Sequence, residues 1–216
     1  MIRVLHTGLS LPEKRKGITL DHRPLLEVSF LKIEQKDLEG EHDAMCFFSP
    51  RAVDSLFIQK IDLPDIRTFV VGTKTKEKLK VCYDVDAESF LDFKDFSNYY
   101  KGERLLSFEL LGSPRSVAAL SEGTHGNPCK VIPVYQTHFR NSSAIDLSLF
   151  DWIIFTSPKG VESFLSQVDL AAFQGEVACV GGSTYTALFQ RGIFPRFEKV
   201  GSLPVEALLD KIQESG

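Results

Sequence analysis

The chain has 216 residues, of which 43% are hydrophobic and 25% are charged, and its formal net charge is −4. This length suits one large domain or two small ones with a sizeable apolar core, so the fold needs no disulfide or structural metal. The slightly acidic balance argues against a nucleic-acid-binding protein that relies on a basic surface. A polyanionic ligand would have to be held by local donors, not by the field of the whole protein.

The cysteines and histidines are dispersed along the chain, without a CxxC pair or the Cys/His spacing of a zinc site. We expect reduced thiols at Cys46, Cys82, Cys129 and Cys179, and no metal. The amino terminus runs directly into a strand-like pattern, which does not resemble a signal peptide. No run approaches the roughly 18 apolar residues of a membrane helix. We therefore expect a cytoplasmic protein with no membrane and no nucleic-acid partner.

Short apolar runs alternate with amphipathic stretches, which is typical of βαβ units and parallel sheets. In chain order, the predicted strands are Arg3–Leu5, Pro24–Ile33, Ala44–Phe48, Arg67–Val71, Arg104–Leu111, Lys130–Tyr135, Asp151–Phe155, Glu176–Val180 and Pro195–Lys199. The predicted helices between and after them are Pro50–Gln59, Thr75–Leu79, Ala87–Phe93, Ser113–Leu120, Pro158–Gln167, Ser183–Gln190 and Val205–Gln213. The pattern predicts an α/β fold with parallel sheets.

An internal repeat indicates two similar lobes. Asp43–Phe57 and Asp151–Leu165 share Asp, Phe, Ser, Pro, Val and a later Ser at corresponding positions. At almost the same spacing, Phe69–Thr75 and Ala178–Thr184 share Val, Gly and Thr. Two strand–loop–helix signatures that recur in order are improbable by chance, so we predict two α/β lobes.

The lobes need not be consecutive halves of the chain. Two strands precede the first copy, and few elements follow the second, so a lobe built from both chain ends balances the element count. We predict a discontinuous first lobe of residues 1–32 plus 138–216 and an inserted lobe of residues 36–134. The segments near 28–35 and 132–139 would form a two-stranded linker, and the space between the lobes a ligand cleft.

Each Ser-Pro site, Ser49-Pro50 and Ser157-Pro158, follows an apolar strand and opens a helix. Serine is a good N-cap and proline suits the first helical position, so capping alone explains the pattern. A second interpretation is that these helix starts also bind anions through their N–H groups and dipoles. Arg51 and Lys159 add a cation at the same place in each copy, which favours anion binding.

Gly72–Thr75 and Gly181–Thr184 each follow a strand and begin a helix. Ligands of open α/β sheets bind at the carboxyl ends of strands, where glycine permits close approach and hydroxyls add donors. An ordinary strand-to-helix turn explains the same residues. Neither GxxxxGK[ST] nor GxGxxG is present, and no motif for covalent catalysis can be found.

Taken in order, these motifs resemble the uroporphyrinogen-III synthase family. The matching segments are Phe47–Val53, Val70–Thr75, Val134–Thr137, Phe155–Val161 and Val180–Thr184. The resemblance implies two flavodoxin-like lobes with a two-stranded linker, and neither a metal nor an organic cofactor. It implies that the substrate is hydroxymethylbilane, a linear tetrapyrrole rich in carboxylates. The product would be uroporphyrinogen III, closed with inversion of the last ring through a spiro intermediate. The resemblance also implies a monomer.

The resemblance assigns roles to individual residues. Tyr135 matches the family's linker tyrosine, which would assist hydroxide loss; a packed tyrosine with a satisfied hydroxyl is the alternative. Thr75 and Thr184 match threonines that hold substrate carboxylates. By a less specific match, the resemblance also implies carboxylate binding by five further residues: Ser49, Arg51, Ser157, Lys159 and Ser183.

The chain also departs from the family. The family has a basic residue soon after its first strand, where this chain has His6-Thr7-Gly8. The segment from Leu9 to Arg23 is short for a crossover helix, so we expect that helix to be stunted or absent. Leu111 precedes Gly112 where the family often has arginine, and Arg115 is a candidate replacement. The alternative function is a non-catalytic, two-lobed binder of a small polycarboxylate or phosphate.

Overall fold

The structure is a computed structural model, and it describes residues 1–40, 42–91, 95–96, 108–112, 129–141, 144–197 and 204–215. The chain divides into two compact units. Unit 1 comprises Met1–Glu27 and His138–Gly216, and unit 2 comprises Val28–Thr137. Each unit contains a parallel sheet with helices, so the predicted α/β fold with parallel sheets is confirmed.

Unit 1 holds a four-stranded sheet made of β1 (Ile2–His6), β2 (Ile18–His22), β10 (Trp152–Phe155) and β11 (Glu176–Cys179). The order across the sheet is β11-β10-β1-β2, and every neighbouring pair is parallel. The described helices of this unit are α3 (Pro158–Leu165), α4 (Gly182–Phe189) and α5 (Val205–Ser215), and a 3-10 turn spans Leu147–Leu149.

Unit 2 holds a five-stranded sheet made of β4 (Ala44–Phe47), β5 (Arg67–Val71), β6 (Glu88–Phe90), β7 (Phe108–Gly112) and β8 (Cys129–Pro133). The order across this parallel sheet is β6-β5-β4-β7-β8. Its described helices are α1 (Pro50–Ile58) and α2 (Thr73–Tyr83), and a 3-10 turn spans Gln35–Leu38. The chain order reverses direction between β4 and β7, which is the switch point of a doubly wound sheet.

Both faces of each sheet are covered, which explains why the central strands are apolar at every position. Along β4, Met45 and Phe47 pack with α1 and α2, whereas Ala44 and Cys46 pack with Phe69 and the aromatic rings beyond it. Along β10, Ile153 and Phe155 pack with α3 and α4, and Trp152 and Ile154 pack with α5. These central strands fix the sheet edges from which the site loops emerge.

A separate two-stranded sheet pairs β3 (Leu26–Phe30) with β9 (Tyr135–Phe139). At one end Arg140 N donates to Leu25 O at 2.9 Å, and at the other Leu31 N donates to Val134 O at 3.0 Å. These two bonds identify an antiparallel pair. Both strands run from one unit into the other, so they form the two-stranded linker.

Three element predictions need correction. The helix predicted for Ala87–Phe93 is wrong, because Glu88–Phe90 pairs with β5 as an edge strand and Phe90 packs against Phe69. The strand predicted for Lys130–Tyr135 is two strands, β8 and β9, which separate at Val134 after Pro133. The prediction omitted β2, which follows Gly17 at φ +81° and pairs with β1 without a helix between them.

Several other predictions fall partly or wholly outside the described residues. The helix Ser113–Leu120 and the position of Arg115 lie outside them, as does the first part of the strand Arg104–Leu111. Of the strand predicted for Pro195–Lys199, residues 195–197 are described and are not a strand. The expected absence of a crossover helix between Leu9 and Arg23 agrees with the extended connection to β2.

Candidate active site

The two Ser-Pro sites have nearly identical capping geometry. Ser49 is the N-cap of α1, with φ −162° and ψ 154°, and its Oγ accepts from Ala52 N at 3.3 Å. Ser157 is the N-cap of α3, with φ −159° and ψ 150°, and its Oγ accepts from Gly160 N at 3.1 Å. The capping interpretation therefore holds at both sites. Because proline has no N–H and the third residue donates to the cap serine, the N–H of the second helical residue is the one that each first turn can offer to an anion.

The two glycine loops also share one conformation. Gly72 precedes α2 with φ 85° and ψ 141°, and Gly181 precedes α4 with φ 82° and ψ 145°. Positive φ of this kind strongly favours glycine. A Cβ on Gly181 would meet no described atom within 4 Å, and one on Gly72 would meet only Thr75 Oγ1 at 4.0 Å. The backbone conformation, not crowding, therefore requires glycine here, and a ligand group could approach the backbone.

Register places the two kinds of loop side by side within each unit. Phe47 of β4 pairs with Val70 of β5, so Ser49 and the Gly72 loop leave neighbouring strands at the same sheet edge. Phe155 of β10 pairs with Cys179 of β11, which does the same for Ser157 and the Gly181 loop. Each unit thus presents two adjacent helix amino termini at one edge, an arrangement suited to anionic groups.

The predicted threonines lie in the first turns of these helices and are buried. Thr75 is 2% exposed, and its Oγ1 donates to Val71 O at 2.8 Å. Thr184 is 1% exposed, and its backbone N–H donates to Gly181 O at 3.1 Å. Thr75 Oγ1 therefore stabilises the end of β5, and only the oxygen's lone pairs remain for another donor.

The predicted cations and the last predicted serine lie closer to the surface. Arg51 is half-buried in the first turn of α1 and makes no ion pair with any described residue. Lys159 is half-buried in the first turn of α3, with its Nζ 5.8 Å from the centroid of the Phe139 ring. Ser183 is exposed beside Thr184.

Tyr135 is the first residue of β9 and is 8% exposed. Ser49 Oγ donates to Tyr135 Oη at 3.0 Å, so the phenol lies at the amino end of α1. This contact joins two residues that the sequence motifs had indicated separately. The contact is compatible with both interpretations of Tyr135, since the hydroxyl has a partner and that partner is a predicted site residue.

Comparison with known proteins supports a specific family. Residues 116–216 match the HEM4 family model, whose description is uroporphyrinogen-III synthase HemD. The uroporphyrinogen-III synthetase of Helicobacter pylori superposes with a TM-score of 0.69 at 18% identity, covering 100% of both chains. A mutant uroporphyrinogen III synthase of Thermus thermophilus gives 0.64 at 16% identity, covering 99% of this chain and 100% of that chain. Likeness at such identities shows the fold. No curated protein sequence matches.

The carboxyl-terminal part of the chain, residues 116–216, matches the uroporphyrinogen-III synthase family. This confirms the recognition from the ordered motifs and the corresponding function, a lyase that closes a ring. The alternative of a non-catalytic binder receives no support. The roles of individual residues remain predictions, since the family match does not test them.

Sequence reasoning overlooked one polar residue at the same sheet edge as the Ser157 loop. His6 ends β1, pairs in register with Ile154 and is 1% exposed. Neither of its ring nitrogens has a hydrogen-bond partner among the described residues. Burial lowers the pKa of His6 to about 4, the nearby His22 acts in the same direction, and Glu206 opposes them. His6 is therefore held as a neutral imidazole near neutral pH.

The signal for His6 was present as a departure from the family pattern. His6-Thr7-Gly8 occupies the place where the uroporphyrinogen-III synthase pattern has a basic residue. Gly8 is packed closely here, because a Cβ on it would lie 2.7 Å from His6 Cε1 and 2.8 Å from Thr156 Oγ1. His22 Nε2 lies 2.8 Å from Gly8 O.

A cavity of about 800 Å³ in unit 1 does not coincide with these loops. It is lined by residues 165–171 and 191–193, at the carboxyl ends of α3 and α4. The candidate residues Ser157, Ser183 and Thr184 lie at the amino ends of the same helices. Because helix carboxyl ends repel anions, the loops are the better site for carboxylates.

The described part of the chain offers neither a metal cluster nor a membrane helix. Among these residues, no group of three or more His, Cys, Asp or Glu could hold a metal ion. Within the same ranges, no helix has the length and hydropathy needed to cross a bilayer.

Proposed function

We propose that this chain converts hydroxymethylbilane into uroporphyrinogen III, with inversion of the last pyrrole through a spiro intermediate. The family match over residues 116–216 carries this proposal. The geometry that agrees with it is the Tyr135 hydroxyl held at the amino end of α1, next to a loop suited to carboxylates. The protein acts in the cytoplasm as a monomer and uses no cofactor.

Tyr135 is the general acid that assists departure of the substrate hydroxyl. Because Ser49 Oγ donates to Tyr135 Oη, the phenol keeps its own O–H for donation to the leaving oxygen. The α1 amino terminus carries partial positive charge, which stabilises the phenolate that forms when the proton is transferred. The protonated hydroxyl leaves as water, and the substrate becomes an azafulvenium cation whose charge the phenolate balances. The last ring then attacks the electrophilic carbon of this cation.

The substrate carboxylates bind at the loops that contain Ser49, Arg51, Thr75, Ser157, Lys159, Ser183 and Thr184. Because the hydroxyl protons of Ser49 and Thr75 are donated to Tyr135 Oη and Val71 O, these two residues shape their loops, and the other five supply the side-chain contacts. The net charge of −4 gives no general attraction for a polyanion, so binding depends on these local donors and on the helix amino termini. Each unit by itself offers the same pair of loops, and each pair suits carboxylate groups.

Positioning suffices for the choice between ring isomers. A hundredfold preference for the inverted ring over the symmetric one requires a difference of about 2.7 kcal/mol between two transition states. One or two hydrogen bonds to charged groups, at roughly 1.5–3 kcal/mol each, supply this difference. A strong nucleophile is therefore unnecessary, and orientation of the bound chain is the main contribution.

The test is product analysis in a coupled reaction. Porphobilinogen and hydroxymethylbilane synthase are incubated with and without the chain, and the oxidised porphyrins are separated by chromatography. We expect the type III isomer only when the chain is present, and at a reduced rate with Tyr135→Phe. Type I alone from the folded chain would reject the proposal and favour a binding protein. An unchanged rate with Tyr135→Phe would reject only the role of Tyr135.

A further inference from the structure

Helix α1 and its C-cap residue hold one end of the linker by hydrogen bonds from two side chains, one buried and one half-buried. Ser55 Oγ donates to Val134 O at 2.6 Å, and Gln59 Nε2 donates to Leu31 O at 3.0 Å. The same two residues, Val134 and Leu31, form the last hydrogen bond between the linker strands. Gln59 Nε2 also lies 3.1 Å from Ser55 Oγ, so the two side chains form one connected group.

Helix α3 and the segment just after it hold the other end of the linker with a corresponding pair of side chains, of which Gln167 is exposed. Ser163 Oγ donates to Leu25 O at 2.9 Å, and Gln167 Nε2 donates to Arg140 O at 3.2 Å. Leu25 and Arg140 form the linker's hydrogen bond at that end. Ser163 is as buried as Ser55, each being 0% exposed. The duplicated helices thus hold the linker ends with matching Ser–Gln pairs.

The two anchors differ in the residue that comes after the anchored carbonyl. Tyr135 comes after Val134, whereas Leu26, an apolar residue, comes after Leu25. Tyr135 is therefore fixed twice from one helix, at the preceding carbonyl by Ser55 and at its hydroxyl by Ser49. In unit 1, the Ser157 hydroxyl caps α3, and the residue after the anchored carbonyl has no hydroxyl for it to bind.

We propose that Ser55 and Gln59 are positioning residues for the Tyr135 hydroxyl, whereas Ser163 and Gln167 have only a structural role. This inference rests on the proposed function, in which Tyr135 is the proton donor. Without the Ser55 hydroxyl, Val134 O keeps only its bond from Leu31 N, and the start of β9 gains freedom to shift against α1. A small displacement of a catalytic group lowers kcat more than it changes substrate binding.

The matched pair Ser55→Ala and Ser163→Ala separates positioning from stability. Each variant removes one buried hydroxyl and leaves one linker carbonyl with a single donor, so we expect similar shifts of the urea unfolding midpoint. We expect Ser55→Ala to lower kcat about tenfold with KM within about twofold, and Ser163→Ala to change neither by more than about twofold. Ser55→Thr, which keeps a hydroxyl, should recover most of the lost kcat.

Equal loss of kcat in both alanine variants, or no loss in Ser55→Ala, would overturn the inference. A Tyr135→Phe background gives a second criterion, because Ser55→Ala should then have little further effect on kcat. If Tyr135→Phe lowers kcat but Ser55→Ala does not, the positioning role of Ser55 is rejected and the proposed function stands. If Tyr135→Phe has no effect, the role of Tyr135 fails and this inference with it. Should Ser55→Ala not fold, kcat of Gln59→Met and Gln167→Met provides a second comparison, with the unfolding midpoint measured for each because Gln59 Oε1 also accepts from Ile33 N at 3.0 Å.

Discussion

We predict that the buried His6 lowers the stability of the chain in mild acid. Its pKa is about 4 in the folded chain and 6.5 when exposed, because burial and His22 disfavour the imidazolium. Between these values the unfolded chain binds a proton that the folded chain does not, so the free energy of unfolding decreases as pH falls. The difference between the two pKa values predicts a loss of about 3 kcal/mol between pH 7.5 and pH 4.

Urea unfolding followed by circular dichroism tests this prediction. Wild type and His6→Leu are compared at pH 7.5, 6.5, 5.5 and 4.5, and His138→Gln serves as an exposed histidine control. The difference in free energy of unfolding between wild type and His6→Leu should grow with acidity by about 2–3 kcal/mol over this range. At pH 7.5, removal of an imidazole that lacks a hydrogen-bond partner should cost little or stabilise the chain.

The prediction is refuted if the difference in free energy of unfolding between wild type and His6→Leu is the same at every pH. It would mean that His6 titrates alike in the folded and unfolded chains. If the free energy of unfolding depends on pH as strongly in His138→Gln as in wild type, and this dependence is lost in His6→Leu, then the proton taken up on unfolding belongs to His6.

Two other comparisons use the duplicated loops as their own controls. Ser49→Ala and Ser157→Ala should each lose about 1 kcal/mol of stability in urea unfolding because each removes an N-cap. Only Ser49→Ala should also lower kcat, since Ser49 orients Tyr135, whereas loss of the Ser157 carboxylate contact should raise KM. Equal kcat in the two variants would contradict the orienting role of Ser49. Gly181→Ala should lower the free energy of unfolding by about 1–2 kcal/mol because of its positive φ, whereas Gly182→Ala, at the start of α4, should leave it unchanged or raise it. Thermal unfolding of both variants tests this, and equal shifts of the melting temperature would contradict it.

The internal repeat predicted much of the fold because the structures that it indicates are specified by residues close together in the sequence. Ser-Pro after an apolar strand specifies a capped helix, and both copies have the geometry that the pattern requires. The repeat even contains the linker anchors, since Gln59 and Gln167 have the same spacing as Ser55 and Ser163. Their partners are distant carbonyls, which no local pattern reveals.

The errors arise where tertiary pairing decides the structure. Ala87–Phe93 has apolar spacing compatible with a helix, but the exposed edge of β5 is completed by Glu88–Phe90 as a strand. The omitted β2 is a short alternating segment that joins β1 in parallel without a crossover helix, an uncommon connection. His6 was noted only as a departure because burial and its lack of partners depend on neighbouring strands.

The most direct test of the assigned activity is a titration with the chain, in which its reaction competes with the spontaneous ring closure of hydroxymethylbilane. Hydroxymethylbilane at a fixed concentration is mixed with increasing amounts of purified chain, and the ratio of type III to type I uroporphyrin is measured after complete reaction. We expect the type III fraction to rise with chain concentration until it accounts for nearly all product. A product that stays type I at every concentration of folded chain would contradict the assignment.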